Sequence, residues 1–288
     1  MQGVIYLRIS VMPNITRSQA KKVTEDVCNR LKSLGAEYYL DSEFENVFDI
    51  TGAKFGKTDE ILPLCDAVIA VGGDGSIIHA AKEAVMYKIP VLGVNAGRLA
   101  FMAGVEDDEL ELLSNLIEGE YALDRRFMLK TEVYYGNECV ETDYALNDCF
   151  ITNEEKQRMS EIDVALNGNI FNGYLCDGII LATPTGSTAY SLSAGGPVVD
   201  PQLESILFTP VCPHSLMARS IIFRPDDKIT VSSAEGKNLY YSNDGASPVR
   251  ISGEGRIVVS RADFTANFIR IKSENFIDIL YRKLAQRR

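Results

Sequence analysis

Apolar residues at Ala20, Val23, Val27, Leu31 and Leu34 recur at spacings of 3, 4, 4 and 3. That is one face of a helix over Ser18–Leu34, and Gly35 follows as its stop signal. Before it, the β-branched run Val4–Ile9 predicts a strand; after it, Ala36–Leu40 predicts a second. Ala67–Val71 is apolar without interruption, the pattern of a strand buried on both faces. Ser76–Tyr87 reads as a helix with Ile77, Ala80, Ala81, Ala84 and Val85 inward, and Ile89–Val94 as the next strand. Asp107–Ile117 predicts another helix, with Leu110, Leu113 and Ile117 on one side and Gly119 behind it. Strands alternating with helices imply βαβ units and a parallel sheet. Between them, Glu43–Thr58 is weakly patterned and reads as a mobile loop.

The pattern changes after Glu120. Short strand-like runs now alternate with turn signals: Leu129–Tyr135 before Gly136-Asn137, Ile162–Leu166 before Asn167-Gly168-Asn169, then Gly178–Ala182, Lys228–Ser232 and Gly255–Arg261. This is the pattern of a mostly antiparallel, β-rich domain. Phe276, Ile277, Leu280 and Leu284 then mark a helix over Ser273–Leu284, which needs an apolar surface, and the parallel sheet offers one. The expected division is therefore 1–124 plus 267–288 as an α/β domain and 125–266 as a β-rich domain. No repeat or low-complexity tract interrupts this plan.

Composition narrows the function. The chain has 288 residues, 46% of them hydrophobic and 24% charged, which excludes disorder and a disulfide mini-scaffold. The net charge of −11 opposes nonspecific binding to nucleic acid or an anionic membrane. A phosphorylated ligand would have to be held by local devices such as amide nests and helix N-termini. Six scattered cysteines without a CxxC, and two histidines, His79 and His214, argue against a protein zinc site. Free thiols and an N-terminus without the features of a signal peptide point to a reducing, cytoplasmic setting. No apolar run reaches the length of a membrane span. Cys212 reads as a buried, inert thiol.

Three segments carry candidate chemistry. Val71-Gly72-Gly73-Asp74-Gly75-Ser76 joins a buried strand to a helix. Glycines there let a ligand approach amides beside a helix N-terminus, a phosphate-binding arrangement. Asp74 is out of place electrostatically beside phosphate, so it calls for a role as proton acceptor or metal holder; a plain turn with a capping aspartate explains it equally well. The second segment, Asp177–Ser191, runs from an apolar strand into Thr183, Thr185, Ser187, Thr188 and Ser191. These hydroxyls either satisfy buried backbone or line a pocket for a base and a sugar. Tyr190 either packs in the core or offers an aromatic face. The third, Asn147-Asp148, interrupts a strand-like run, as a turn does or as a pair reading ribose hydroxyls does.

With these segments in this order, the chain resembles the ATP-NAD kinase family. Gly72–Ser76 matches its GGDG(T) loop, Asn147-Asp148 its Asn-Glu pair, and DGIILATPTGSTAYSLSAGGP over Asp177–Pro197 its long signature. Pro213-His214-Ser215-Leu216 with Arg219 matches a PHSLxxR segment, and Asp244-Gly245 a late Asp-Gly-Gln element. GGDG alone is shared with lipid kinases and phosphofructokinase-like enzymes. The resemblance implies phosphoryl transfer from ATP, or polyphosphate, to the 2′-hydroxyl of the adenosine ribose of NAD. In it Asp74 is the general base, and Gly72, Gly73, Gly75 and Ser76 cradle phosphate. Asp74, Gly75, His79, Asn147, Asp148, Arg158, Asp177, Thr185, Thr188, Ala189, Tyr190, Ser191, Leu192, Ser193 and Asp244 fall on the NAD site. The implied fold is an α/β domain, here the phosphate-donor domain, plus a β-rich dinucleotide-binding domain, with the C-terminal tail returning to the first. Homodimers or homotetramers, with a site completed by a neighbouring subunit, are also implied.

Departures from the family pattern are Ser76 for threonine, Asp148 for glutamate, Ala100 in Leu99-Ala100-Phe101-Met102 for glycine, and Ala246 for the glutamine. The last bears on dinucleotide affinity and on NAD against NADH. An acidic chain with no lysine in the loop calls for a divalent ion, Mg²⁺ carried on the nucleotide, with few protein ligands. Two other readings stand beside this one: a different GGDG-type kinase acting on a lipid or sugar, and a non-catalytic NAD(P)-binding regulator.

Overall fold

The structure, a computed structural model, describes residues 7–16, 18–97, 100–154, 160–215 and 217–285. It divides into two compact units, the chain before Arg126 together with residues from Ala266 on, and Arg126–Thr265.

The first unit runs β1 (Arg8–Pro13), α1 (Ser18–Ser33), β2 (Glu37–Asp41), β3 (Lys54–Gly56), α2 (Thr58–Ile61) and β4 (Ala67–Gly72). It continues with α3 (Asp74–Val85), β5 (Val91–Asn95), α4 (Leu113–Glu118) and β6 (Ala122–Arg126). The second unit carries β7 (Leu129–Tyr135), β8 (Glu138–Ala145), β9 (Asp148–Asn153), β10 (Ser160–Leu166), β11 (Asn169–Cys176) and β12 (Gly178–Ala182). After the four-residue helix α5 (Tyr190–Ser193) come β13 (Ile206–Val211), β14 (Ile221–Phe223), β15 (Ile229–Ser233), β16 (Leu239–Asn243), β17 (Val249–Ile251) and β18 (Gly255–Arg261). Strand β19 (Ala266–Arg270) and helix α6 (Phe276–Ala285) return to the first unit.

In the first unit seven strands form one sheet in the order β3-β2-β1-β4-β5-β19-β6, with β1, β2, β3, β4, β5 and β19 paired in parallel. Every residue of β4 is buried, as its unbroken apolar run requires. Helix α1 buries Val23, Val27, Cys28 and Leu31 in a core with Ile9, Leu40, Ile69 and Leu92. From β1 the chain builds outward to β2 and β3 on one side, then to β4 and β5 on the other. The strand order thus reverses between β1 and β4, where open parallel sheets leave a crevice beyond their carboxyl ends.

Three sequence expectations change here. Glu43–Thr58 is not simply a loop: Phe44 and Phe48 are buried with ring centroids 5.6 Å apart, and Lys54–Gly56 is the edge strand β3. Asp41 anchors the segment, accepting from the Thr58 amide at 2.8 Å and the Thr58 hydroxyl at 2.7 Å. The helix expected over Asp107–Ile117 begins as a 3₁₀ turn at Leu110–Leu112 and becomes α-helical only at Leu113. The C-terminal return includes a strand as well as the expected helix, since Phe268 of β19 pairs with Val91 of β5. The first residues of the expected strand Val4–Ile9 lie outside the described residues.

The second unit holds two six-stranded antiparallel sheets, β11-β10-β15-β18-β7-β8 and β14-β13-β12-β9-β16-β17. Their inner faces meet in one core, Val164, Val231, Ile257 and Val259 from one sheet with Ile151, Ile179, Leu181 and Phe208 from the other. Strand β18 alternates buried and half-buried residues, the mark of a sheet packed on one face. Asn167 and Gly168, both at positive φ, close the β10–β11 hairpin as the sequence predicts. Among the described residues no helix is long and apolar enough to cross a membrane.

Candidate functional site

In the first unit the site is built at the end of β4. Gly72 and Gly73 are buried, Asp74 opens helix α3 and Gly75 is exposed. A Cβ on Gly72 would stand 2.5 Å from the Ser76 hydroxyl, so only glycine lets the strand turn this tightly into the helix. The first turn of a helix leaves amides outside its own ladder, beside the positive end of the helix dipole. The Ser76 amide already bonds the Gly73 carbonyl at 3.0 Å, which leaves those of Asp74 and Gly75 for a ligand. Asp74 is held in place: its Oδ1 accepts from the Met102 amide at 2.8 Å. Among the described residues, its Oδ2 has no hydrogen bond. The Ser76 hydroxyl accepts from the Asn14 side-chain amide at 2.9 Å, tying the loop after β1 to the glycine turn. Asn14, Gly75, Ser76 and the exposed His79 share a cavity of about 450 Å³ with Asp41 and Glu83. This cavity lies where the strand order reverses.

In the second unit the break between β8 and β9 places Asn147 and Asp148. The Asp244 carboxylate holds the break, accepting from the amides of Leu146 at 2.9 Å, Asn147 at 2.7 Å and Asp148 at 3.2 Å. Asp244 and Gly245 both have positive φ, and the Ala246 amide bonds the Asn243 carbonyl at 3.0 Å, the geometry of a primed turn. Asp148 is buried, and its carboxyl is pushed up to about 7, first by burial and then by the charge of Asp244, against a lowering bond from the Tyr190 amide.

The hydroxyl-rich turn is largely committed to its own backbone. Thr183 donates to the Leu146 carbonyl at 2.6 Å and accepts from the Gly186 amide at 3.0 Å. Ser187 bonds both the amide and the carbonyl of Val199. Ser191 is fully buried against the Thr209 hydroxyl at 3.0 Å. Thr188 donates to the Thr185 carbonyl at 3.3 Å, and the buried Arg126 donates to the Thr185 hydroxyl at 3.2 Å. A Cβ at Gly186 would lie 2.0 Å from the Asn147 carbonyl oxygen, so this turn sits directly against the β8–β9 break. The turn itself is a 3₁₀ turn at Thr185–Thr188 followed by α5.

Beyond the turn, Tyr190 is 43% exposed, so it is not a core residue; its ring meets Phe150 edge-on at 5.1 Å. Tyr190, Phe150, Tyr240 and Asp177 line a cavity of about 680 Å³. Cys212 lines it too and is exposed at φ 46°, correcting the expectation of a buried thiol. Cys212 follows the last residue of β13, past the end of the paired strand. Ala189 and Leu192 are half-buried and Ser193 is exposed on the same segment. His214 and Arg219 line a separate cavity of about 340 Å³. Arg158 and Leu216 lie outside the described residues.

Residues 9–121 match the ATP-NAD kinase N-terminal domain and residues 146–271 the ATP-NAD kinase C-terminal domain. A protein of Caldanaerobacter subterraneus subsp. tengcongensis named NAD kinase is 39% identical over 97% of this chain and 99% of its own length. The chain belongs to the ATP-NAD kinase family. Two solved structures share its fold at 23% identity each. One is a yeast NADH kinase complexed with NADH, with a TM-score of 0.88 over 97% of this chain and 88% of that one. The other is an NAD kinase from Archaeoglobus fulgidus in complex with ATP, with a TM-score of 0.73 over 98% and 99%.

Asn14, Arg126 and Phe150 bond or pack against these turns yet lie outside the sequence motifs. Asn14 could have been found as the polar residue ending the first strand, opposite the glycine turn. Arg126 and Phe150 gave no local signal, because their roles depend on partners 59 and 40 residues away along the chain.

Proposed function

We propose that this chain transfers the γ-phosphoryl group of ATP to the 2′-hydroxyl of the adenosine ribose of NAD, giving NADP. The observation that carries the proposal is Asp74, fixed by Met102 through one oxygen while the other has no hydrogen bond among the described residues, in the first turn of a helix whose amides suit phosphate. Phosphoryl transfer depends on positioning and charge neutralisation more than on covalent chemistry. A ribose hydroxyl is a weak nucleophile, so a carboxylate within about 3 Å of it takes its proton as the new P–O bond forms and the bond to ADP breaks. Asp74 serves as that base, and Gly72, Gly73, Gly75 and Ser76 cradle the donor phosphates.

Asn147 and Asp148 hold sugar hydroxyls and the adenine side, and Tyr190 with Asp177 lines the rest of the dinucleotide pocket. Thr185, Thr188, Ala189, Leu192 and Ser193 shape that pocket. Ser191 acts by packing, while His79 and Arg158 supply charge or donors near diphosphate. Residues 1–124 plus 267–288 thus form the donor domain and 125–266 the dinucleotide domain. Names of relatives support this reading, since they include kinases of NAD and NADH and a complex with ATP.

Among the described residues no three His, Cys, Asp or Glu side chains converge as a metal site. A magnesium ion held by the triphosphate itself, with few protein ligands, fits this donor set, and when bound it neutralises charge on the transferring group. The same reading includes a cytoplasmic homodimer or homotetramer whose neighbouring subunit completes the site; six free thiols suit a reducing compartment. An assay of purified protein with NAD, ATP and Mg²⁺ tests the proposal. NADP formation supports it, whereas NAD binding in a calorimeter without NADP formation would identify a non-catalytic regulator.

A further inference from the structure

The same Asp-Gly element that resembles a ligand-binding motif is occupied internally. Both Asp244 carboxylate oxygens accept backbone amides, Oδ2 that of Leu146 and Oδ1 those of Asn147 and Asp148. The Asp244 amide in turn bonds the Asp148 carbonyl at 2.9 Å. These contacts span nearly a hundred residues and join the β16–β17 turn to the β8–β9 break. Aspartate followed by glycine suits this position: both residues sit at positive φ, where a short polar side chain is tolerated and can fold back.

We infer that Asp244 is a positioning residue of the kinase, acting on the dinucleotide through Asn147 and Asp148 instead of touching it. The inference rests on the assignment of those two residues to sugar binding. The three amides would otherwise be unpaired donors at a strand break beside a buried carboxyl. With them tied down, the backbone at Asn147 is fixed from one side by Asp244 and from the other by Gly186, whose missing side chain admits the Asn147 carbonyl. Burial raises the Asp148 carboxyl first, and the charge of Asp244 adds to it. From the β16–β17 turn Asp148 meets the like charge of Asp244, and from α5 it meets the Tyr190 amide. Asp148 accepts hydroxyl protons best as a carboxylate, so its affinity for a ribose strengthens as pH rises through about 7.

The test is the KM for NAD and kcat, measured across pH for the wild-type enzyme and for Asp244→Asn, which keeps the turn but replaces one acceptor with a donor and removes the charge. The expected result is a KM rise of about tenfold with a smaller change in kcat, the scale of one lost charge-assisted hydrogen bond. The limb in the KM profile should also move toward acid, as removal of a like charge does. Asp148→Asn should abolish the limb. Wild-type KM and an unmoved limb in Asp244→Asn, together with a raised KM in Asn147→Ala and Asp148→Asn, would overturn this inference alone. Unchanged KM in Asn147→Ala and Asp148→Asn would instead overturn the sugar-binding assignment beneath it.

Amide hydrogen exchange on the unmodified enzyme gives an answer even if Asp244→Asn does not fold. Slow exchange at residues 146–148, both without and with NAD, is expected of a clamp. Fast exchange without NAD, or protection lost when NAD binds, would show that Asp244 turns to the ligand and would overturn the inference.

Discussion

The glycine turn after β4 and the hydroxyl-rich turn after β12 look alike in sequence, each a small, polar linker from a buried strand toward a helix, yet the structure uses them in opposite ways. After β4 the small residues keep the linker open: among the described residues no atom lies within 4 Å of where a Cβ on Gly75 would stand, and Asp74 Oδ2 has no hydrogen bond. After β12 the polar groups are consumed inside, with Thr183, Ser187 and Ser191 all bonded to neighbouring protein atoms. A dense run of hydroxyls is therefore spent on its own backbone, and in the proposed function recognition is assigned to Asn147, Asp148 and Tyr190 beside it. Openness at one turn and closure at the other are what a phosphate cradle and a rigid sugar-binding rim respectively need.

Substitutions that add one methyl group to each turn separate the two most sharply. Gly186→Ala forces a Cβ to within 2.0 Å of the Asn147 carbonyl, against backbone that cannot yield. It should cost about 3 kcal/mol or more and lower Tm strongly in thermal melts, the top of the overpacking range. The pH dependence of stability comes next. With the Asp148 carboxyl raised to about 7 in the folded state and near its ordinary value when unfolded, the folded state binds more protons between these values. Stability from this group is thus fully present below about 4 and lost as pH rises through about 7, by as much as a few kcal/mol. Denaturant titrations should show that slope in the wild-type protein and a flatter one in Asp148→Asn.

Ser187→Ala removes a hydroxyl that serves both the amide and the carbonyl of Val199, and should cost about 1–3 kcal/mol in the same titrations. The smallest structural effect belongs to Gly75→Ala, within about 0.5 kcal/mol of wild type, since the position is open and helical. Its KM for ATP should nonetheless rise, because the new methyl group stands where phosphate approaches the amides. A stability loss at residue 75 as large as that at 186 would erase the contrast between the two turns.

Much of this contrast was legible in the sequence. The unbroken apolar run of β4 announced a parallel strand, the short runs between turn signals after Glu120 an antiparallel region, and Gly72–Ser76 a strand-to-helix turn. What could not be read depended on partners distant along the chain. The edge strand Lys54–Gly56 is too short to carry a period and exists because it pairs with β2. Strand β19 enters the first sheet after the chain has built a whole second unit. The hydroxyls of 183–191 carried two meanings until Leu146, Val199 and Thr209 were placed beside them. Nothing local to Asp244 says that its carboxylate faces the amides of 146–148.

Turnover by Asp74→Asn tests the proposed chemistry most directly, since the substitution keeps an oxygen for the Met102 amide while removing the group that accepts the proton. Initial rates of NADP formation should fall by about 10²–10⁴ with NAD binding by calorimetry largely kept, the loss expected when a general base is removed. A variant that turns over at close to the wild-type rate would take the proton-accepting role away from Asp74 and contradict the mechanism.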